Sequence, residues 1–266
     1  MLVLALDTAT EAVTVGLLEV PREGADGPVR LLGSEVRHGA RQHGEQLMPA
    51  VLAVCAAAGQ RLADVDAVVC GAGPGPFTGL RVGLVSAAGL GDALGVPVYG
   101  VCSLDAVALD AVALDAVALD AAVLDAAVVD AATSGAVPSE AAASGAGGPL
   151  LVVSDARRRE VYWAAYDSSG RRLAGPAVDT PAALAERVGE LGVRRVAGPV
   201  AAAHAELLGL AEFPAAGAAL SPSPAGLVAA AGDELRTGAT PPPLEPMYLR
   251  RPDAVPPAAR KRVSLG

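Results

Sequence analysis

Aromatic side chains are scarce in this chain: two Phe, four Tyr and one Trp, 3% of 266 residues. With 52% hydrophobic residues, there is ample core material, but the core has to be built from small side chains such as Ala and Val. Cysteine is nearly absent as well. Cys55, Cys70 and Cys102 lie in apolar contexts with no CxxC spacing, which excludes a disulfide framework and reads as small core residues in a reducing cytoplasm. No uncharged apolar run reaches the roughly 18 residues of a membrane helix, since Asp interrupts even the Ala/Val-rich middle. The apolar start ends at Leu6 without a basic lead-in, too short for a signal peptide, and reads as a first strand. These absences predict a soluble, cytoplasmic protein. Positive charge is also short, with 20 Lys and Arg against 29 Asp and Glu and a net charge of −9. Such a surface repels a polyanion, so unaided nucleic-acid binding is not expected. The basic spots at Arg157-Arg158-Arg159, Arg250-Arg251 and Arg260-Lys261-Arg262 read as solvated ends.

Catalytic patterns are missing too. The three histidines are His38, His43 and His204. A helical metal pair needs histidines four apart on one face, and Leu47 fills the place four after His43, while Gly39 breaks the interval back to His38. His204 stands in an Ala-rich stretch. No GxSxG turn exists, Ser86 and Ser154 have no evident base, and the cysteines have no activating partner. The residues therefore assign neither a catalytic group nor a metal site.

What is present is the run AGPGPFTGLRVGL from Ala72 to Leu84. Gly73 and Gly75 free the backbone, Pro74 and Pro76 stiffen it, and Thr78-Gly79 leads into helical spacing, with Thr78 placed as a cap. A rigid loop ending in free helix N–H groups can receive a phosphate. Asp7-Thr8, at the end of the first strand, could face that loop and hold a magnesium–phosphate, or Asp7 could bond its own turn. Strands are expected at Leu2–Leu6, Val13–Val20, Val29–Val36, Val65–Cys70 and Val96–Val101, and helices at Gly44–Ala58 and from Thr78 on, a β-β-β-α-β-α-β lobe with a mixed sheet. From Leu104 to Ala132 a five-residue unit, LDAVA, repeats with small variations. Five residues turn an α-helix by about 500°, so successive aspartates step round by about 140°. Asp105, Asp110, Asp115, Asp120, Asp125 and Asp130 then leave no clean apolar stripe, which predicts an expanded helix that is not readily buried. Residues 133–149 are rich in Gly, Ser and Ala and read as a linker. Strands at Leu150–Ser154, Glu160–Tyr166 and Val193–Ala197, with helices from Thr180-Pro181 and over Ser223–Thr237, form a second lobe over 150–240, and the last of these helices could pack back on the first lobe. An extended Pro/Arg-rich tail follows at 241–266.

Several of these runs together resemble the TsaB/YeaZ family of bacterial tRNA threonylcarbamoyladenosine biosynthesis proteins, within the wider TsaD/Kae type. The matching stretches are LALDTATEAVTVGL (4–17), HGEQLMP (43–49), VDAVVCGAGPGPFTGLRVGL (65–84), GVPVYGVCSLDA (95–106), SDARRREVYWAAYD (154–167) and EPMYLR (245–250). The resemblance implies a two-lobed actin/Hsp70/sugar-kinase-like (ASKHA) fold and a subunit with no catalysis or cofactor of its own. Its implied partners are a TsaD-like threonylcarbamoyltransferase and a TsaE-like ATPase, through which ATP enters, with tRNA reached only through the complex and no membrane involved. When the chain is alone the same surface could form a homodimer, and the sequence leaves monomer and homodimer open. The implied pairing surface comes from helices 45–58 and 78–94, with Glu45, Leu47, Met48, Val51, Leu84, Val85 and Ala88 as contacts. Pro76 departs from the family pattern, where a small residue such as Ser is common, and this weakens the phosphate reading of Asp7, Thr8, Gly73, Gly75, Thr78 and Gly79. The rival reading is an independent ATP-dependent kinase of the same fold, for which Asp155 is the one candidate carboxylate in the second lobe.

Overall fold

A computed structural model describes residues 1–39, 42–130, 148–212 and 221–250, without the side chains of 118–130 and 211–212. The expected linker beyond 130, apart from 148–149, and the tail arginines beyond Arg250 lie outside the described residues.

Leu2–Asp7 (β1) is apolar on both faces and buried almost throughout, as a strand in the middle of a covered sheet must be. It pairs antiparallel with Ala12–Glu19 (β2) and parallel with Ala67–Gly71 (β4). Arg30–His38 (β3) and Val98–Val101 (β5) are the edges, in the order β3-β2-β1-β4-β5. His43–Ala57 (α1) and Phe77–Leu94 (α2) cover one face, placing Leu47, Val51, Leu80 and Leu84 against Leu4, Leu6, Val15 and Cys70. The second lobe repeats this plan strand for strand. Leu150–Asp155 (β6) pairs antiparallel with Val161–Tyr166 (β7) and parallel with Arg195–Ala197 (β9). Arg172–Asp179 (β8) and Ala211–Glu212 (β10) are its edges. Pro181–Leu191 (α4) and Ala201–Leu208 (α5) cover one face through Leu184, Ala201 and Leu208. Two such lobes facing each other make the ASKHA-like fold.

Three local readings need correction. Thr78 is not a cap: α2 begins at Phe77 with Pro76 at the cap position, and no side chain bonds to its first turn. A strand over 172–179 was not anticipated, because Gly175-Pro176 interrupts its pattern. Its place at the sheet edge, with register shifts against β7, is where a proline is tolerated. The third correction concerns the pentamer tract. Ser103–Asp130 is one helix (α3), but its first turns, expected to resist burial, are buried in the second lobe. Leu104, Val107, Ala108 and Ala111 pack with Leu150, Val152, Tyr162 and Tyr166.

That burial is possible because Asp105, Asp110 and Asp115 each meet a partner on a different side, as the step of about 140° dictates. Asp105 accepts from Tyr166 Oη (2.7 Å) and from the Arg172 guanidinium. Asp110 accepts from the backbone N–H of Ser223 (2.9 Å) and from its hydroxyl. Asp115 pairs with Arg195 of β9 at 2.9 Å. Ser223 is the N-cap of Pro224–Thr237 (α6), its hydroxyl accepting from Gly226 N–H. A Cβ at Gly226 would lie within 2.6 Å of the Ala106 carbonyl oxygen and the Asp110 carboxylate, so only glycine allows α3 and α6 to cross this closely. The helix α6 then packs Leu227, Val228, Ala231 and Leu235 on the first sheet, against Val3, Ala5, Val69 and Tyr99. Each lobe thus lends its final helix to the other's sheet.

The half-buried Asp105 pair should be worth more than an exposed one. Asp105→Ala strands the Tyr166 hydroxyl and Arg172, and should cost roughly 2–3 kcal/mol in urea unfolding. Glu19→Ala, which breaks the exposed pair with Arg30, should cost less than about 1 kcal/mol.

Candidate functional site

The glycine-proline loop is packed against the end of β1. Asp7 is fully buried. Ala9 N–H donates to its Oδ1 (2.8 Å) and the Ser103 hydroxyl to its Oδ2 (2.5 Å). Thr8 is equally buried, and its hydroxyl donates to the Gly79 carbonyl (2.7 Å) while accepting from Gly83 N–H (3.0 Å). The open faces of Gly71, Gly75 and Gly79 are filled by Asp7, by the Ala9 backbone and by the Thr8 carbonyl respectively. The glycines therefore serve the close approach of the β1–β2 turn. Neither Asp7 nor Thr8 reaches an open cradle, and both Asp7 oxygens already have donors. Gly73, at φ 96°, turns the chain back toward Leu80. Thr78 is exposed at the second position of α2. Burial pushes the Asp7 carboxyl up to about 6, against the downward pull of its bonds from Ser103 and Ala9 and of nearby His43.

The two lobes meet at their corresponding hairpin turns, Thr8–Glu11 and Ala156–Glu160. A cavity of about 280 Å³ lies between them, lined among others by Thr10, Glu11, Ser154, Asp155 and Arg157. Arg157 reaches across to Glu11 (3.0 Å) and back to Asp155 (3.2 Å). Asp155, the one candidate carboxylate for a kinase, thus faces a guanidinium, and its other oxygen accepts from the backbone N–H of Arg157 (2.8 Å). Arg157, Arg158 and Arg159 all hold left-handed backbone angles, φ 61°, 54° and 65°. His43 Nε2 lies 3.0 Å from the Thr10 carbonyl. Among the described residues no group of three His, Cys, Asp or Glu is arranged to hold a metal ion, and no helix is long and apolar enough to cross a membrane.

The residues expected to pair divide by burial. Leu47, Val51 and Leu84 are in the lobe's own core, because they occupy the sheet-facing stripe of their helices. Glu45, Val85 and Ala88 are exposed and Met48 is half-buried. Leu52, not anticipated from the sequence, joins them. At 55% exposure for Leu52 and 70% for Val85, the outward face of the two-helix layer is apolar where solvent would favour charge. Also missed were Phe77, Arg81 and Tyr248. The Arg81 guanidinium carbon lies 3.7 Å from the Phe77 ring centre, and Tyr248 meets the same ring at 5.0 Å. The four-residue spacing of Phe77 and Arg81 on a helix was the available signal.

A family model described as tRNA N6-adenosine threonylcarbamoyltransferase (TsaD) matches residues 37–126. The uncharacterized protein Rv3421c of Mycobacterium tuberculosis is 44% identical over 254 residues, 96% of this chain and 94% of that protein. The solved structure of YeaZ from Pseudomonas aeruginosa superposes with a TM-score of 0.62 at 27% identity, covering 93% of this chain and 99% of that one. The chain is a TsaB/YeaZ-type member of the TsaD-like family. Within the family, the tRNA threonylcarbamoyladenosine biosynthesis protein TsaB of Escherichia coli is 31% identical over 166 residues, 62% of this chain and 55% of that protein. The stretch matched by the transferase model contains α1, α2 and the glycine-proline loop.

The raised Asp7 carboxyl has a measurable consequence. Its folded pKa lies above the ordinary carboxylate value of about 4, so folding favours the protonated form and stability falls as pH rises from about 4 to about 6. In Asp7→Asn this component should vanish, since an amide does not titrate, while its oxygen keeps an acceptor for Ala9 N–H. Urea midpoints of both proteins across pH 4 to 7 measure it. A gap between them that stays constant with pH would contradict a titrating buried Asp7.

Proposed function

We propose that this chain takes part in tRNA threonylcarbamoyladenosine formation as a non-catalytic subunit that pairs with, and activates, a TsaD-like threonylcarbamoyltransferase. The observation that carries the reading is the apolar outer face of α1 and α2, with Leu52 and Val85 exposed, in a family whose characterised E. coli relative is named for this biosynthesis. A helix pair that buries one apolar face in its own lobe and leaves another uncovered has the composition of an interface awaiting a partner. The cleft supports the same reading. A kinase of this fold would need carboxylates free to hold magnesium and nucleotide. Here Asp7 is buried and bonded, and Asp155 faces Arg157.

The chain contributes no cofactor of its own in this scheme. ATP enters through a TsaE-like ATPase, and tRNA is engaged by the assembly. Without its partner the same helical face serves a homodimer, since relatives of one fold present related surfaces.

Leu52→Arg and Val85→Arg change exposed positions, so the thermal midpoint of the isolated chain should hardly move. Each should weaken association with the TsaD-like subunit by on the order of 100-fold, since it buries an unpaired guanidinium. Threonylcarbamoyl transfer to tRNA by TsaD-like and TsaE-like proteins should fall in parallel. Unchanged association would place the pairing face elsewhere. Transfer that does not need the chain, together with ATP turnover by the chain alone, would replace the subunit reading with a kinase.

A further inference from the structure

The cavity of about 280 Å³ between the two hairpin turns contains a polar group that the fold leaves unmatched. Leu150 and Val152 of β6 pack with α3 in the second lobe's core, so the two-residue period of a strand turns Ser154 to that same face. Asp7 ends β1 in the same way, on the face of Val3 and Ala5, but its oxygens are met by Ala9 and Ser103. Ser154 is only 6% exposed and lines the cavity, and its Oγ has no hydrogen-bond partner among the described residues. A buried hydroxyl without a partner is rare in native proteins and costs stability. Its place on a cavity wall gives it a use.

The wall beside Ser154 is fixed by packing. Gly198 turns the chain at φ 110°, and a Cβ there would lie 2.2 Å from the Val153 carbonyl oxygen. The Gly198-Pro199 turn therefore lies directly on β6 and brings Pro199 and Val200 into the lining, where Pro76 of the first lobe's own Gly-Pro loop joins them. Two further hydroxyls come from Thr10 and Ser221, whose oxygens lie 3.5 Å apart. The acidic groups are Glu11 and Asp155, which share the guanidinium of Arg157. The volume falls just below the roughly 300–1,000 Å³ of sites for drug-sized ligands, which suits a molecule of sugar size.

These groups select the chemistry of a ligand. The Ser154 hydroxyl has a proton to donate as well as lone pairs, whereas ionised Glu11 and Asp155 only accept. An ammonium ion supplies donors alone and leaves the Ser154 proton unmatched. A phosphate supplies acceptors alone, and it adds negative charge beside two carboxylates that already share one guanidinium. An alcohol does both, accepting from Ser154 and donating to a carboxylate. We infer that this cavity binds a small uncharged polyol, either a sugar or the ribose of an unphosphorylated nucleoside. One ligand hydroxyl is held by Ser154 and another by Glu11 or Asp155, with the carbon skeleton against Pro76, Pro199 and Val200. The site uses neither outer face of α1 or α2, so it stands whether or not the chain pairs as proposed above.

The test is saturation-transfer NMR on the full chain with D-ribose, D-glucose, adenosine and AMP, each at millimolar concentration. Transfer to the sugar protons of D-ribose or D-glucose is expected if a free sugar is the ligand, and to those of adenosine alone if a nucleoside is. Ser154→Ala should weaken that binding about tenfold, the worth of one hydrogen bond. The same variant should raise the thermal midpoint of the chain measured without added compound, because it removes an unmatched buried hydroxyl. Val200→Phe, which fills the cavity from a half-buried position, should abolish the transfer while the thermal midpoint confirms that the variant folds. No transfer from any of the four compounds would overturn the inference, as would binding left unchanged by both variants. AMP binding more tightly than adenosine would make this a phosphate site instead. A midpoint lowered by Ser154→Ala would show a hydroxyl already matched within the protein and would remove the basis of the inference.

Discussion

The crossing of α3 and α6 is the constraint on which the rest of the structure depends. α3 leaves the first lobe and supplies core residues to the second, while α6 leaves the second and covers the first sheet. Where they cross, Asp110 accepts from both the backbone N–H and the hydroxyl of Ser223, and Gly226 admits the backbone of α3 at its closest approach. Neither lobe can bury its sheet without the other's helix. Unfolding is thereby coupled across the lobes, and the cleft between the two hairpin turns is held at a fixed width. The bridge from Glu11 to Arg157 and the C-terminal strap of residues 244–250 also tie the lobes together. Related folds that work by opening and closing would have to break several of these contacts at once. That rigidity suits the proposed role, in which the chain presents a surface to a partner.

Much of the first lobe was legible because its signals are local. A continuous apolar run gives β1, alternation gives β2, and glycine and proline punctuate the step from β4 to α2. The second lobe was harder for physical reasons that can be named. The strand β8 contains Gly175-Pro176, a pair that normally ends a strand and survives here only at a sheet edge. In the pentamer tract, periodicity alone does not decide burial. A helix with charge on every side does resist burial in a uniform apolar environment, but α3 passes between three different neighbours, each of which supplies a donor to one aspartate.

The candidate site shows the same division. Which helices carry the exposed apolar face could be read from the resemblance, yet which of their residues point outward could not, because both helices have small apolar residues on more than one side. Leu47 and Leu84 looked as available as Val85 until the sheet fixed the orientation. The glycines of the loop raise a related ambiguity. A glycine needed for a phosphate and a glycine needed for a neighbouring strand end look alike in sequence, and here Ala9 and Thr8 occupy the space. Tyr248 is far in sequence from Phe77 and Arg81, which are neighbours on α2, and only the return of the C-terminal segment 244–250 brings it to them.

The pentamer units at the start of α3 have a consequence for how this gene can vary. Residues 104–118 are three identical LDAVA units, and the structural demands fall on Asp105, Asp110 and Asp115 together with the apolar residues between them. Copying errors in repeated DNA add or remove whole units. Loss of one unit would draw the next into register, and an aspartate would still stand at each of the three demanding positions. Gain of a unit would change nothing before Val117. The core thus reads the same letters after the gain or loss of one unit, and only the far end of the helix changes. A tract that drifts in length by slippage can be tolerated in this lobe because the part that must be right is also the part that repeats.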